Sequence, residues 1–371
     1  MPIALSLFYF FYFSIIGVYV IFMPKVLDML GYAPIEIGII FSAAPLVRFI
    51  VPFLFIKGLK LSLNTFYIAL GFMIIGAFSF YINVDSFYKL LASNIILGIG
   101  LSLILPYIEL IALGAIGKER YGKVRLFGSL GFILVALVLV KFLSSASVAL
   151  LTMFTLSILT SIIAFYVARV AKATLVESED VKNDISLISH WKLWVGLTLM
   201  QVSFGAFYNF FTIYETNHGI ALDMVIYLWT FGVIMEIAML YFQGRLLGGN
   251  LLILLQITTF ASALRWLLLF MFPQTLPVLF FSQSLHALSF ALFHTAAISY
   301  LYQLYKHKSL AQQFFSGIAY GLGAFLGALL SGYIYEKYPD YLFLSSTFIA
   351  LMAFLFITLW AKTQKSTKCS A

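Results

Sequence analysis

Long apolar segments separated by short polar ones run along nearly the whole chain. A membrane-spanning helix needs about 20 consecutive apolar residues, and twelve segments of about that length can be marked in the 371 residues. The pattern predicts helices near 5–24, 37–56, 63–82, 87–115, 124–143, 147–168, 191–214, 224–244, 251–271, 277–304, 309–335 and 340–361. The polar remainder is too short for a separate soluble domain. The sequence therefore predicts an all-α integral membrane protein with twelve transmembrane helices.

Composition supports this prediction and excludes several kinds of site. Hydrophobic residues make up 63% of the chain and charged residues 10%, whereas a soluble domain is about half apolar and about a quarter charged. The single cysteine, Cys369, excludes an intramolecular disulfide and a thiolate metal cluster. Residues 117–124 are similar to a phosphate-binding loop, but Val124 replaces the required Ser or Thr. Since no hydrolase or metal-ligand motif occurs either, we expect no enzyme activity, no cofactor, no metal and no nucleotide partner.

The formal net charge of +8 is explained by topology and not by a nucleic-acid partner. If the N-terminus is cytoplasmic, the predicted inside segments hold sixteen of the 22 Lys and Arg residues and the outside segments hold four. The other two, Arg48 and Arg265, lie within predicted helices. This asymmetry is the positive-inside bias of membrane proteins. It predicts a multi-pass protein of a bacterial-type inner (plasma) membrane, in contact with the lipid bilayer, with both termini in the cytoplasm.

A polar stretch near the middle divides the chain. Residues 169–190 are rich in charged side chains. This composition predicts a solvated cytoplasmic linker. On either side we expect an N-terminal six-helix half, 1–168, and a C-terminal six-helix half, 191–371, which ends in a short cytoplasmic tail.

The two predicted halves also show an internal repeat. A shift of 188 residues aligns Gly17 with Gly205, and the same shift places Arg48 on Glu236. Parallel six-helix repeats related by a pseudo-twofold axis, with a central site, are a known transporter architecture. The alignment predicts that Arg48 and Glu236 face this central cavity near the membrane midplane.

Several ionisable residues lie within the predicted helices, where an exposed charge costs at least about 2.5 kcal/mol. They are Arg48 in helix 2, Glu109 in helix 4, Arg125 at the start of helix 5, Glu236 in helix 8, Arg265 in helix 9, and His286 and His294 in helix 10. At about 1.5 Å per residue, the side chains of Glu236, Arg265 and His286 come within reach of one another, so we expect them to form one network. The alternative is that each residue is a clamp between helices.

Aromatic and polar residues share helix faces in two places. In helix 1, Tyr12 and Tyr19 are seven residues apart, as are Gln201 and Tyr208 in helix 7. Such a face could line a cavity for a sugar or an aromatic acid. Packing within the helix bundle is the alternative for each of these residues.

Residues 121–129, Tyr-Gly-Lys-Val-Arg-Leu-Phe-Gly-Ser, resemble the helix 4–5 junction of one branch of the major facilitator superfamily, the branch that contains lactose permease and the phenylpropionate transporters. The likeness continues over nearly the whole chain. It includes Leu228-Trp229, Gly232-Val233 and Glu236 in helix 8, Arg265-Trp266 in helix 9, and Gln283, His286 and His294 in helix 10.

The resemblance implies roles for individual residues. Arg125 matches the permease arginine that binds substrate hydroxyls, and Glu109 resembles its carboxylate partner. Arg265 and His286 match the arginine and histidine of the permease's proton-coupling network, while Glu236 is displaced by about a turn from the corresponding carboxylate.

Two positions depart from the permease. Ser289 stands where the permease has a carboxylate. Phe132 stands where the permease has a tryptophan that stacks on the sugar ring. Both agree with the phenylpropionate branch and make a galactoside substrate unexpected.

Together these features predict a secondary transporter that works by alternating access. We expect the transported solute to be a small organic molecule, with an aromatic or other carboxylic acid favoured. We expect its transport to be coupled to protons by symport. The predicted substrate-binding residues are Arg48, Arg125, Glu109, Phe132, Tyr12, Tyr208 and Gln201, and the predicted proton-coupling residues are Glu236, Arg265, His286 and His294. The alternatives are a sugar or nucleoside permease, a proton-coupled exporter, a sodium-coupled carrier and, from another class, a nontransporting membrane sensor.

Overall fold

The structure, a computed structural model, describes residues 1–142, 145–171 and 185–369. Over these ranges the secondary structure is helical and no β-strand occurs. The helices are α1 Pro2–Met29, α2 Pro34–Phe55, α3 Leu63–Ile82, α4 Phe87–Gly117, α5 Arg120–Phe142, α6 Ala146–Ala171, α7 in two segments, Trp191–Ser203 and Gly205–Asn217, α8 Leu222–Phe242, α9 Leu251–Met271, α10 Leu276–Leu304, α11 Leu310–Lys337 and α12 Pro339–Gln364.

Helix α7 is interrupted where the sequence predicts one continuous helix over 191–214. Phe204 separates two segments of 13 residues each, and each is too short to span a membrane alone. The other eleven helices are each long and apolar enough to cross a membrane. When the two α7 segments are counted as one span, the number of candidate spans among the described residues agrees with the predicted twelve.

A close approach of two helices accompanies the α7 interruption. A Cβ atom built on Gly205 would lie 2.3 Å from the carbonyl carbon of Gly327 in α11. Because no side chain fits into this space, glycine is required for the two backbones to pack at this distance.

Three helices contain π-helical turns, which in proteins often mark functional sites. They are Val18–Phe22 in α1, Ala287–Leu292 in α10 and Phe315–Leu322 in α11. Beyond its π-turn, α1 continues to Met29, five residues past the end that the hydropathy pattern predicts.

The chain forms two compact units, Met1–Asp180 and Val181–Ala371. Helices α1–α6 belong to the first unit and α7–α12 to the second. Most of the predicted linker, residues 172–184, lies outside the described residues, so the predicted boundaries of the linker and the two halves stay predictions.

The local backbone supports the 188-residue repeat. Gly31 and Gly219, which this shift aligns, have φ angles of 89° and 87°, in the left-handed region that favours glycine. In each turn the amide after the glycine donates to a carbonyl five residues back, that of Leu27 at 3.1 Å and that of Glu215 at 3.0 Å. This is the same helix C-cap in both units, so the first and seventh helices end in the same way.

Candidate functional site

Three ionisable side chains meet inside the second unit. Arg265 of α9 is fully buried and His286 of α10 is nearly so. Nη1 of Arg265 lies 2.8 Å from Nδ1 of His286, and Nε2 of His286 lies 3.5 Å from Oε2 of Glu236 in α8. The structure therefore brings the predicted network together, with His286 between the arginine and the carboxylate. We call these three residues the relay cluster.

The geometry determines the protonation state of His286. A guanidinium can only donate hydrogen bonds, so Nδ1 of His286 must accept from Arg265. The ring hydrogen is then on Nε2, which faces the acceptor oxygen of Glu236. A second proton on Nδ1 would oppose the N–H of Arg265. His286 is therefore neutral as long as Arg265 donates to it.

Arg265 keeps its charge among neutral groups. Its Nη2 donates to Oε1 of Gln283 at 2.7 Å, and its guanidinium carbon lies 4.2 Å from the ring centroid of Phe207 and 4.6 Å from that of Trp266. Aromatic faces attract a cation, most strongly where water is excluded. Within the described residues no carboxylate pairs with Arg265 directly, so Glu236 balances the charge through His286.

The π-helical turn of α10 begins directly after His286. The His286 ring stacks on Phe290, with ring centroids 5.0 Å apart and an interplanar angle of 5°. Ser289, in the same turn, lies at 3.5 Å from Nη1 of Arg265. A straight α-helix would present these positions differently, so the turn sets the directions of Ser289 and Phe290 relative to His286.

His294 is not part of the relay cluster, although the sequence assigns it to the proton-coupling network. Its Nδ1 lies 2.7 Å from the hydroxyl of Tyr320 in α11. His294 is two turns beyond His286 on the same helix, too far along it to contact Arg265. It forms a separate contact between α10 and α11.

A second charged group lies in the first unit at the α4–α5 junction. Nε of Arg125 is 3.9 Å from Oε1 of Glu109, and the hydroxyl of Tyr121 donates to the same oxygen at 3.0 Å. The guanidinium of Arg125 also covers the ring of Phe13, at 4.0 Å from its centroid. Gly117, with a φ of 72°, ends α4 and allows the chain to turn into α5, which places these side chains side by side. The side chains of Arg125 and Glu109 are both partly exposed.

Arg48 differs from Arg125 and Arg265, which both contact an acceptor group. It lies within α2, is exposed, and has no hydrogen bond or ion pair with any described residue. Tyr12 and Tyr19 of α1 are within electrostatic range of its charge. An unpaired guanidinium inside a spanning helix needs water or an anion.

Three of the other predicted substrate-binding residues lie among packed helices. Tyr12 is buried, and its hydroxyl donates to the backbone carbonyl of Leu101 at 3.0 Å. Gln201 is also buried, and Tyr208 is half-buried beside the ring of Phe204. These contacts match the packing alternative in this conformation.

Phe132 is half-buried on α5, and its backbone carbonyl lies next to Gly17 of α1. A Cβ on Gly17 would lie 3.2 Å from that carbonyl oxygen. The helix that carries Phe132 is therefore packed closely against α1, as α11 is against α7.

Sequence reasoning did not single out Asn94 of α4. The side chain is fully buried; its oxygen accepts from the hydroxyl of Tyr19 at 2.9 Å and its nitrogen donates to the backbone carbonyl of Ile40. It thus ties α4 to α1 and α2 near Arg48. The signal that could have revealed it is that Asn94 is the one amide side chain of the mostly apolar helix α4.

Comparisons with known proteins agree with this architecture. The family model described as "MFS_1 like family" matches residues 3–345. The probable 3-phenylpropionic acid transporter of Escherichia coli (strain K12) is 24% identical over 374 residues, covering 94% of this chain and 95% of the relative.

Solved structures show the same fold. The nucleoside transporter NupG is similar with a TM-score of 0.77 at 17% identity, covering 97% of this chain and 98% of that one. A D-xylose-proton symporter is similar with a TM-score of 0.68 at 11% identity, covering 96% of each chain. The matched proteins are membrane transporters and not enzymes.

The relay cluster generates a prediction about energetic coupling. In a double-mutant cycle, Arg265→Lys and His286→Gln should couple by about 0.5–3 kcal/mol in the free energy of unfolding, because the two side chains share a buried hydrogen bond. The matched control pairs Arg265→Lys with His294→Gln, which should be additive because His294 bonds to Tyr320. Unfolding followed in detergent micelles measures both cycles; equal coupling in the two would contradict the assignment.

Proposed function

Because the chain belongs to the MFS_1 like family and is a membrane transporter of the major facilitator type, we propose that it moves a small organic acid together with protons by alternating access. The observation that carries this proposal is the relay cluster: a buried guanidinium whose charge is balanced by Glu236 only through a neutral histidine. We further propose the orientation that the distribution of Lys and Arg favours, with both termini on the cytoplasmic side of the inner membrane.

Glu236 is the proton carrier in this proposal. Nδ1 of His286 is occupied by Arg265, whereas the carboxylate oxygens of Glu236 can take a proton without breaking the Arg265–His286 bond. With Glu236 ionised, Arg265 and Glu236 cancel and the cluster has no net charge. With Glu236 protonated, the cluster carries one positive charge. Proton binding and binding of an anionic solute therefore favour each other, which is the requirement for symport.

Arg48 is proposed to bind the carboxylate of the solute. A guanidinium offers a planar fork of donors that matches a carboxylate, and Arg48 is exposed and has no ion-pair partner among the described residues. Arg125 is the second candidate, but its guanidinium already contacts Glu109 and Phe13. The E. coli relative is named for an aromatic carboxylic acid, and this supports an acid over a sugar.

The first test of this function is uptake into proteoliposomes without nucleotide. An imposed inward pH gradient should drive accumulation of an aromatic carboxylic acid, and a protonophore should abolish it. A panel that includes nucleosides, sugars and a sodium gradient checks the alternatives. Accumulation that needs ATP, or that follows a sodium gradient alone, would contradict proton symport.

Glu236→Gln should retain solute exchange and lose uphill accumulation. Glutamine keeps the shape and an acceptor oxygen for His286 while it removes the titratable proton site. The control is Glu336→Gln, which changes a carboxylate that lies 3.5 Å from Nζ of Lys337. Counterflow and pH-driven uptake in proteoliposomes measure the two activities. If Glu236→Gln accumulates solute normally from about pH 5 to 8, which brackets histidine titration, Glu236 is not the carrier.

A cysteine at position 48 should react with a water-soluble thiol reagent. The reason is that an unpaired arginine inside a spanning helix needs an aqueous environment. The background is Cys369→Ser, which removes the native cysteine. Ile50→Cys is the control, since residue 50 is exposed on roughly the opposite face of α2. Arg48→Cys that stays unlabelled in every transport condition would remove Arg48 from the site.

A further inference from the structure

Glu215 is a buried carboxyl group that belongs neither to the relay cluster nor to the predicted substrate-binding residues. It lies in the second segment of α7, two residues before that segment ends at Asn217. The side chain has no exposed surface. Neither of its carboxyl oxygens has a hydrogen-bond partner among the described residues. A buried polar group without a partner is rare and calls for a physical explanation.

Among the residues that the structure describes, no cation is paired with the Glu215 carboxyl group. The second segment of α7 packs against α8, α11 and α12. The ionisable side chains near this end of the unit come from the segment itself and from the ends of the helices around it. They are Tyr214 on the segment, His218 directly after it, Asp223 on α8, Tyr335, Glu336 and Lys337 on α11, Tyr338 between α11 and α12, and Asp340 and Tyr341 at the start of α12. Lys337 is half-exposed and lies next to Glu336. Nδ1 of His218 contacts the backbone carbonyl of Tyr214 at 2.8 Å. None of these groups is bonded to Glu215.

Two physical effects disfavour a negative charge at this position. An isolated ionised carboxylate without water or a partner is so costly that such groups take up a proton instead. Glu215 is also in the last turn of its segment, where the helix dipole places negative partial charge. Both effects act in the same direction, so the neutral acid is the form that fits this conformation.

We propose that Glu215 is a second proton-binding site of the transporter, protonated in the conformation described here and deprotonated when movement of this α7 segment brings the carboxyl group into contact with water. This proposal rests on the proposed proton-coupled transport. On exposure the acid O–H bond breaks and water takes the proton; no other bond changes. The interruption at Phe204 separates this segment from the first part of α7, which provides a position where the backbone can bend.

The repeat shows that packing does not require a carboxyl group here. The 188-residue shift places Glu215 on Leu27, which is also fully buried. Their carbonyls accept the same capping hydrogen bond in the two units. Because the first unit closes the same turn with leucine, Glu215→Leu is a matched replacement that should fold.

Infrared spectroscopy of the purified full-length protein tests the protonation directly. A protonated carboxylic acid has a carbonyl stretch at a higher wavenumber than the bands of a carboxylate. At pH 7 and without solute, this band should be present in the wild type, absent in Glu215→Leu and Glu215→Gln, and retained in Glu236→Gln. A wild-type spectrum that matches that of Glu215→Leu in this region would overturn the proposal.

A second measurement separates a coupled proton from one that is merely buried. Proton uptake and release on addition of an aromatic carboxylic acid can be followed with a pH-sensitive dye in weakly buffered detergent solution. Glu215→Leu should lower the number of protons exchanged per solute. An unchanged number would show that Glu215 holds a proton without taking part in transport and would contradict the proposal. If no solute moves protons at all, the proposed function fails, while the infrared result still decides the protonation of Glu215.

Discussion

A guanidinium inside a membrane-spanning helix must find its hydrogen-bond acceptors within the protein, and the second unit is organised around this requirement at Arg265. The acceptors come from α10, as the His286 imidazole and the Gln283 amide, and aromatic rings from α7 and α9 cover the guanidinium. Glu236 of α8 joins through the histidine. Four helices of the unit are therefore linked by the solvation of one cation.

The irregular backbone of the helices lies close to these polar groups. The π-helical turn of α10 begins next to His286, and α7 is interrupted directly before Gly205, where it meets α11. A regular helix satisfies its backbone internally and gives each residue a fixed direction. A wider turn or a break costs hydrogen bonds but redirects side chains and allows a segment to move. In this protein such features accompany the ionisable groups proposed to act in transport.

The two units use one repeated frame for different chemistry. The left-handed glycine turns at Gly31 and Gly219 match in both backbone angle and capping hydrogen bond. At two further aligned positions the side chains differ in chemistry: the 188-residue shift aligns Arg48 with Glu236, and Leu27 with Glu215. The frame is thus set by backbone and packing requirements common to both units, while the ionisable side chains assign anion binding to the first unit and proton binding to the second in the proposed mechanism.

The sequence by itself determined the membrane location, the twelve spans and the candidate ionisable residues, because hydropathy and the cost of intramembrane charge are properties of the residues themselves. It also indicated the repeat through a single offset. Only the tertiary structure decided which side chains meet. The helical rise placed Arg265, His286 and Glu236 within reach of one another, but the position of His286 between the other two depends on how α8, α9 and α10 pack. His294 and Tyr12 were also predicted site residues, on other grounds, and their side chains bond elsewhere, to Tyr320 and to the backbone carbonyl of Leu101. Glu215 lies one residue beyond the predicted helix 191–214, and no sequence pattern singled it out; its complete burial follows from the packing of its segment against α8, α11 and α12.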